Sequence, residues 1–119
     1  MSVVLVCGSR SWDEPTLIGK RLARLPRGTK IRHGGARGVD RYAGIYARAL
    51  GFEEQVFKAD WFGRGKRAGI LRNLEMLDAP IRPRYVIAFW DGKSTGTKHT
   101  IDAAHERSIP VELHVRSAQ

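Results

Sequence analysis

Two apolar runs constrain this 119-residue chain more than any other feature: residues 2–7 (Ser-Val-Val-Leu-Val-Cys) and Tyr85–Trp90 (Tyr-Val-Ile-Ala-Phe-Trp). Neither alternates with polar residues, so each predicts a strand covered on both faces, and such strands belong to parallel sheets. Parallel strands need crossovers, and the intervening segments supply them. Asp13-Glu14-Pro15 reads as a helix start, with acids and proline in the first turn. Leu17, Ile18, Leu22 and Leu25 follow at helical spacing until Pro26-Arg27-Gly28 ends the element. Residues 29–33 form a short second strand. A helix over 40–50 carries Ala43, Ile45, Tyr46, Ala47 and Leu50 and closes at Gly51. Residues 52–58 read as a third strand and 59–66 as a loop with two glycines. A helix over 67–77, proline breaks at Pro80 and Pro83, a helix over 97–107 and a strand at Val111–Val115 complete the alternation. The prediction is a single α/β domain over residues 1–119, with about five parallel strands, right-handed crossovers and helices on both faces.

Three glycine-bearing segments follow strands directly and lead into helices: Val6-Cys7-Gly8-Ser9-Arg10, His33-Gly34-Gly35-Ala36-Arg37-Gly38-Val39-Asp40 and Asp91-Gly92-Lys93-Ser94-Thr95-Gly96-Thr97. In a doubly wound sheet the ligand crevice opens beyond the carboxyl ends of the strands, which is where all three segments fall. Glycine there permits positive φ and lets a phosphate approach the backbone without a Cβ in the way. The candidate ligand contacts are therefore Gly8, Ser9 and Arg10 from the first segment, and Gly34, Gly35, Ala36, Arg37, Gly38 and Asp40 from the second. The third contributes Asp91, Ser94, Gly96 and Thr97. Arg37 can make a bidentate charge-assisted contact. Gly96-Thr97 opens the last helix, so its free N–H groups and partial positive charge face the crevice. A single glycine after a strand is a turn; three such loops on one sheet edge point to an anion site. None of them matches the P-loop or Gly-x-Gly-x-x-Gly patterns, which argues against ordinary NTPase and NAD-dehydrogenase readings.

The net charge of +9 comes from 21 lysines and arginines against 12 acids, without a block of like charge. Such a chain is drawn to polyanions by long-range electrostatics. The aromatic residues are few and are not interleaved with the basic ones as a single-strand stacking groove requires. The charge is read as a solvated surface plus a few anion ligands. No apolar stretch reaches the roughly 18–20 residues that span a bilayer, and the N-terminus lacks a basic segment followed by an apolar one, so a soluble cytoplasmic protein is expected. Cys7, the single cysteine, permits no internal disulfide and reads as core packing. No His/Cys/Asp/Glu set has metal-ligand spacing, and neither a metal nor a cofactor is expected.

The ordered motifs Val-Cys-Gly-Ser-Arg, Gly-Gly-Ala-Arg-Gly-Val-Asp, Ala-Asp-Trp, Gly-Lys-Arg-Ala-Gly-Ile-Leu-Arg-Asn and Val-Ile-Ala-Phe-Trp-Asp-Gly-Lys-Ser-Thr-Gly-Thr resemble the YspA-related SLOG family of small bacterial and phage proteins. The resemblance covers about residues 3–115. It implies a Rossmann-like sheet that binds nucleotides or nucleotide-derived ligands, within a superfamily that includes the Lonely Guy phosphoribohydrolases and the DNA-processing protein DprA. Homodimerisation is expected from that superfamily. Arg72-Asn73-x-x-Met76 is similar to the phosphoribohydrolase helix that carries the catalytic arginine, so the resemblance places Arg72 in a catalytic role if the protein is an enzyme, with Asn73 beside it. Their catalytic glutamate falls on Thr100, which cannot supply the negative charge that an oxocarbenium-like state needs. Asp40, Asp91 or Asp102 would have to provide it from elsewhere.

Binding of a nucleotide-type small molecule is thus the leading expectation, for sensing, sequestration or processing. N-glycosidic hydrolysis of a nucleoside 5'-monophosphate is the enzymatic alternative, and single-stranded nucleic-acid binding is the third and less favoured reading. Asp60-Trp61 offers either a base-stacking tryptophan or core packing, and Lys66 either a solvated charge or a phosphate partner. His33 and His99 lie near the crevice, and His105 and His114 read as surface or edge residues.

Overall fold

The computed structural model describes residues 2–116, apart from the side chain of Lys66. The tail expected over the last three or four residues lies mostly outside the described residues, as does the role considered for the Lys66 side chain. Five strands, β1 (Val3–Gly8), β2 (Lys30–His33), β3 (Glu53–Val56), β4 (Tyr85–Trp90) and β5 (Val111–Val115), form one sheet in the order β3-β2-β1-β4-β5. Every pairing is parallel. The chain builds outwards from β1 to β3, then crosses back to lay β4 on the other side of β1. The reversal makes the carboxyl ends of β1 and β4 the switch point at which a doubly wound sheet opens a crevice.

The helices are α1 (Pro15–Leu22), α2 (Val39–Ala49), α3 (Trp61–Arg64), α4 (Ala68–Asp78) and α5 (Thr95–Glu106), with a 3₁₀ turn at Gly65–Arg67. Side chains of a strand alternate between faces, and the two long apolar runs divide accordingly. Val4, Val6, Ile87 and Phe89 pack with Ile18, Leu22, Ala43 and Ala47 beneath α1 and α2. Leu5, Cys7, Val86 and Ala88 pack with Met76, Leu77, Ile101 and Ala104 beneath α4 and α5. The two layers explain why β1 and β4 are apolar at every position.

Several boundaries differ from the sequence reading. The first helix ends at Leu22 because the chain tightens there into turns, with Leu25 N–H donating to the Leu22 carbonyl, yet Leu25 stays buried. β3 keeps only four residues and lies at the sheet edge, where its outer face needs no apolar cover. The segment 59–66, expected to be a loop, contains α3, because the Asp60 carboxylate accepts the Gly63 N–H at 2.8 Å and caps that turn. α5 begins at Thr95 rather than Thr97, because Ser94 caps it and its Oγ accepts the Thr97 N–H.

Candidate functional site

A crevice of about 700 Å³ opens at the carboxyl ends of β1 and β4. That volume falls within the range of small-molecule sites. The turn after β1, with Gly8, Arg10 and Ser11, and the α5 entry, with Asp91, Lys93, Ser94, Thr95, Gly96, Thr97 and Thr100, line it side by side, joined where Ser11 Oγ donates to Asp91 Oδ2 at 3.3 Å. α4 supplies Gly69, Ile70, Arg72, Asn73 and Met76; Trp61 of α3 lies at the mouth; Cys7, Ala36 and Asp40 complete the lining. Two of the three glycine-bearing segments thus contribute walls, while the second contributes Ala36 and Asp40.

Sequence reasoning aimed the amides of Gly34–Gly38 at a ligand. The structure turns several of them inward. The N–H groups of Gly34 and Ala36 both donate to Asp40 Oδ2 at 3.2 Å, and the Gly35 N–H donates to His33 Nδ1 at 3.0 Å. Arg37 is exposed and, like Gly34, Gly35 and Gly38, lies outside the crevice lining. The glycines answer to close packing instead. A Cβ on Gly34 would collide with the Arg72 guanidinium, and one on Gly38, whose φ is +72°, would strike the carbonyls of Ser9 and Arg10. Gly8 has the same constraint against the Phe89 carbonyl and the Val39 side chain. Ser9 is fully buried and acts as a brace, its Oγ accepting the Asp91 N–H at 3.0 Å while its carbonyl takes N–H groups from Trp12 and Val39.

Arg72 is the best-held cation of the crevice. Its Nη1 donates to the Gly34 carbonyl at 2.6 Å and its Nε to Asn73 Oδ1 at 3.0 Å, which fixes the plane of the guanidinium and leaves Nη2 without an acceptor among the described residues. Burial lowers its pKa, Asp40 offsets part of that effect, and the nearby Arg10 lowers it further. Two guanidiniums that disfavour one another in a half-enclosed site are brought into balance by an anion between them. Arg10 itself is exposed, on the turn after β1.

The acids of the crevice differ. Asp91 stays below its ordinary carboxylate value, chiefly because its Oδ1 accepts the Ser94 and Lys93 N–H groups, both at 2.8 Å, despite some opposing desolvation. It organises the α5 entry. The N–H groups of Thr95 and Gly96 have no acceptor among the described residues, as expected of the first turn of a helix. Asp40 is 6% exposed, and burial raises its pKa against the pull of the Ala36 and Gly34 amides and of Arg72. Burial also raises the Cys7 thiol, and Asp40 adds to this, so Cys7 is an unreactive part of the floor.

Thr100 and Thr97 are buried, and the Thr100 hydroxyl donates to the Gly96 carbonyl at 3.2 Å, within its own helix. Trp61, which the sequence left open between base stacking and core packing, is 53% exposed, and it lines the mouth with Ile70, 44% exposed. Ser11 and Lys93 carried no signal beyond their place in loops. Asp102 pairs with Lys98 on the outer face of α5, and His99 does not line the crevice. Among the described residues, no group of three or more His, Cys, Asp or Glu is placed to hold a metal, and no helix is long and apolar enough to cross a membrane.

The sequence profile of the family described as YspA, cpYpsA-related SLOG matches residues 2–62, which contain the turn after β1 and the whole β2–α2 segment. The chain is also 41% identical over 120 aligned residues to the Gene 61 protein of Mycobacterium phage D29, an alignment that covers 93% of this chain and 94% of the phage protein.

Proposed function

The chain belongs to the YspA, cpYpsA-related SLOG family, and from that premise we propose that its crevice binds a nucleotide or a nucleotide-derived small molecule. Family membership and the Rossmann-like α/β sheet fit a nucleotide-related function. One observation carries the finer reading: Arg10, Arg72, Lys93 and the amide-bearing start of α5 surround a single crevice whose mouth holds an exposed tryptophan. The cations and amides suit a phosphate. Trp61 and Ile70 suit the face of a base, which stacks on apolar and aromatic surfaces whatever its identity.

A panel of nucleoside mono- and diphosphates, cyclic nucleotides and ADP-ribose-like compounds tests the reading by thermal shift. A ligand at a hundredfold excess over its Kd stabilises the fold by ~2.7 kcal/mol. A flat panel removes the proposal. Mass spectrometry of small molecules released from protein purified out of its native cell would name the ligand directly.

Cleavage of an N-glycosidic bond is a second reading, favoured by the joint presence of Arg72 and a carboxyl group, Asp40, in the crevice. Thr100 contributes no charge, so the oxocarbenium-like state would rely on Asp40 or Asp91. Release of free base from a nucleoside monophosphate, lost in Arg72→Ala, is the outcome this reading requires.

A further inference from the structure

Asp40 is held by the protein without being saturated by it. Oδ2 accepts the Gly34 and Ala36 amides, whereas Oδ1 accepts from no described residue, and the side chain lines the crevice while remaining more than nine-tenths buried. Oδ1 is not a sealed, unpaired atom; an acceptor held in place and left open to the crevice is placed for a donor on a ligand. A phosphate is excluded from that position by charge repulsion, and the site provides for it elsewhere, where Lys93 and the open amides of Thr95 and Gly96 lie. The exposed apolar pair at the mouth, Trp61 and Ile70, takes the planar part of the ligand. Between phosphate and base, the donors that a nucleotide offers are the hydroxyls of its sugar.

Resting on the nucleotide-binding reading, we propose that Asp40 is a specificity-determining residue that accepts a hydrogen bond from the ribose 2'-hydroxyl, so that the crevice takes ribonucleotides in preference to 2'-deoxyribonucleotides. The contact is pre-formed, because the two amides on Oδ2 fix the carboxylate before any ligand arrives. A site built to pair with a hydroxyl discriminates strongly against the analogue that lacks it, because a bound deoxy sugar covers the acceptor without pairing it.

Isothermal titration of the four ribonucleoside 5'-monophosphates, their 2'-deoxy counterparts and inorganic pyrophosphate tests the assignment in wild type and Asp40→Asn. The wild type is expected to bind its preferred ribonucleotide about tenfold or more tightly than the deoxy form. Asp40→Asn keeps one oxygen for the Gly34 and Ala36 amides and turns an NH2 donor into the crevice. Its ratio should fall towards one while pyrophosphate binds at least as tightly as before. Equal wild-type affinity for the two sugars overturns the assignment, and so does an undiminished ratio in the variant. Discrimination among bases without discrimination between sugars also overturns it, since Asp40 would then read the base. Nucleotide binding without sugar preference sinks this assignment and leaves the binding reading standing, whereas no binding by any compound sinks both. If Asp40→Asn fails to fold, the wild-type ratio alone decides.

Discussion

Arg32 Nη1 donates to the main-chain carbonyl of Met76 at 2.6 Å, a contact between β2 and the last turn of α4 across 44 residues of sequence. In a continuing helix that carbonyl would accept the N–H of residue 80, but residue 80 is a proline and has none. Arg32 supplies the missing donor. Its Nε donates to Gln55 Oε1, and its guanidinium carbon lies 5.0 Å from the centroid of the Phe57 ring. The side chain is thus a buried strut that fixes the height of α4, and with it Arg72 and Asn73, against the sheet.

Arg32→Ala should therefore destabilise the fold by about 2 kcal/mol or more, through an orphaned carbonyl and lost packing. Urea denaturation followed by circular dichroism measures it. A change below about 0.5 kcal/mol would mean that water replaces the guanidinium at no cost. Arg32→Lys should recover only part of the loss, because an ammonium cannot bridge Met76 and Gln55 in the same plane.

Gly34→Ala separates the site from the fold. The added methyl meets the far end of the Arg72 side chain, which can swing away. Stability should fall by only about 1 kcal/mol, while affinity for a phosphate-bearing ligand falls roughly tenfold as Arg72 loses its anchor on the Gly34 carbonyl. Gly8→Ala meets backbone and a buried valine instead and should destabilise far more. Melting temperatures and binding isotherms of the two variants, set side by side, check the contrast.

The two crevice acids should respond to pH with opposite signs. The Asp91 pKa is depressed in the folded state by the Ser94 and Lys93 amides, so the stability it contributes is present above the ordinary carboxylate value and is lost as pH falls below it. Asp91→Ala should cost stability at pH 7, and the cost should shrink towards pH 2.5. The Asp40 pKa is raised by burial, so its ionisation weighs against the fold as pH rises above the ordinary value. Asp40→Asn should raise stability relative to wild type at pH 7 and lose that advantage near pH 3. Urea midpoints at the two pH values decide both cases, and a common sign for the two variants would contradict the assigned causes.

β1 and β4 were legible in the sequence because a strand buried on both faces has no polar position to lose, and their neighbours followed from the crossovers that parallel pairing requires. α3 was not legible: four residues, one of them Gly63, carry no periodicity, and the cap on Asp60 is visible only in three dimensions. The site was legible as a location and less so as a set of contacts. Glycines mark where backbones come close but do not say whether an amide points at a ligand or at a neighbouring acid. Asp40, four residues beyond Ala36, was the available hint that the second segment satisfies its own N–H groups. Gly34 and Arg72 meet across 38 residues, beyond the reach of any local pattern. Ile70 lies on one helical face with the core residue Leu77 on α4 and nevertheless lines the crevice and stays exposed, which spacing alone does not reveal.

Trp61 provides the test of where a base sits. It is more than half exposed and its side chain has no hydrogen-bond partner among the described residues, so its truncation should leave the fold nearly unchanged. Stacking of a base on an aromatic side chain contributes ~1–3 kcal/mol, so Trp61→Ala should weaken nucleotide binding by roughly tenfold or more. Pyrophosphate, which has no ring, should bind both proteins alike. Equal loss for nucleotide and pyrophosphate would instead show that Trp61 only shapes the mouth.

The net charge of +9 gives the last expectation its form. Attraction of a nucleic-acid strand to dispersed surface arginines works through counterion release and weakens steeply with salt. Contacts inside a crevice of about 700 Å³ involve few phosphates and are less screened. A single-stranded oligonucleotide should therefore bind at 50 mM salt and be largely released at 200 mM, whereas a mononucleotide in the crevice should lose no more than a few-fold in affinity over that range. Arg72→Ala should abolish the second signal and barely alter the first, because one partly buried guanidinium adds little to a surface field. Fluorescence anisotropy with a labelled oligonucleotide, beside calorimetry with a mononucleotide at each salt concentration, measures both. Oligonucleotide binding that stays tight at 200 mM salt and depends on Arg72 would reverse the order of the two readings and make the strand the natural ligand.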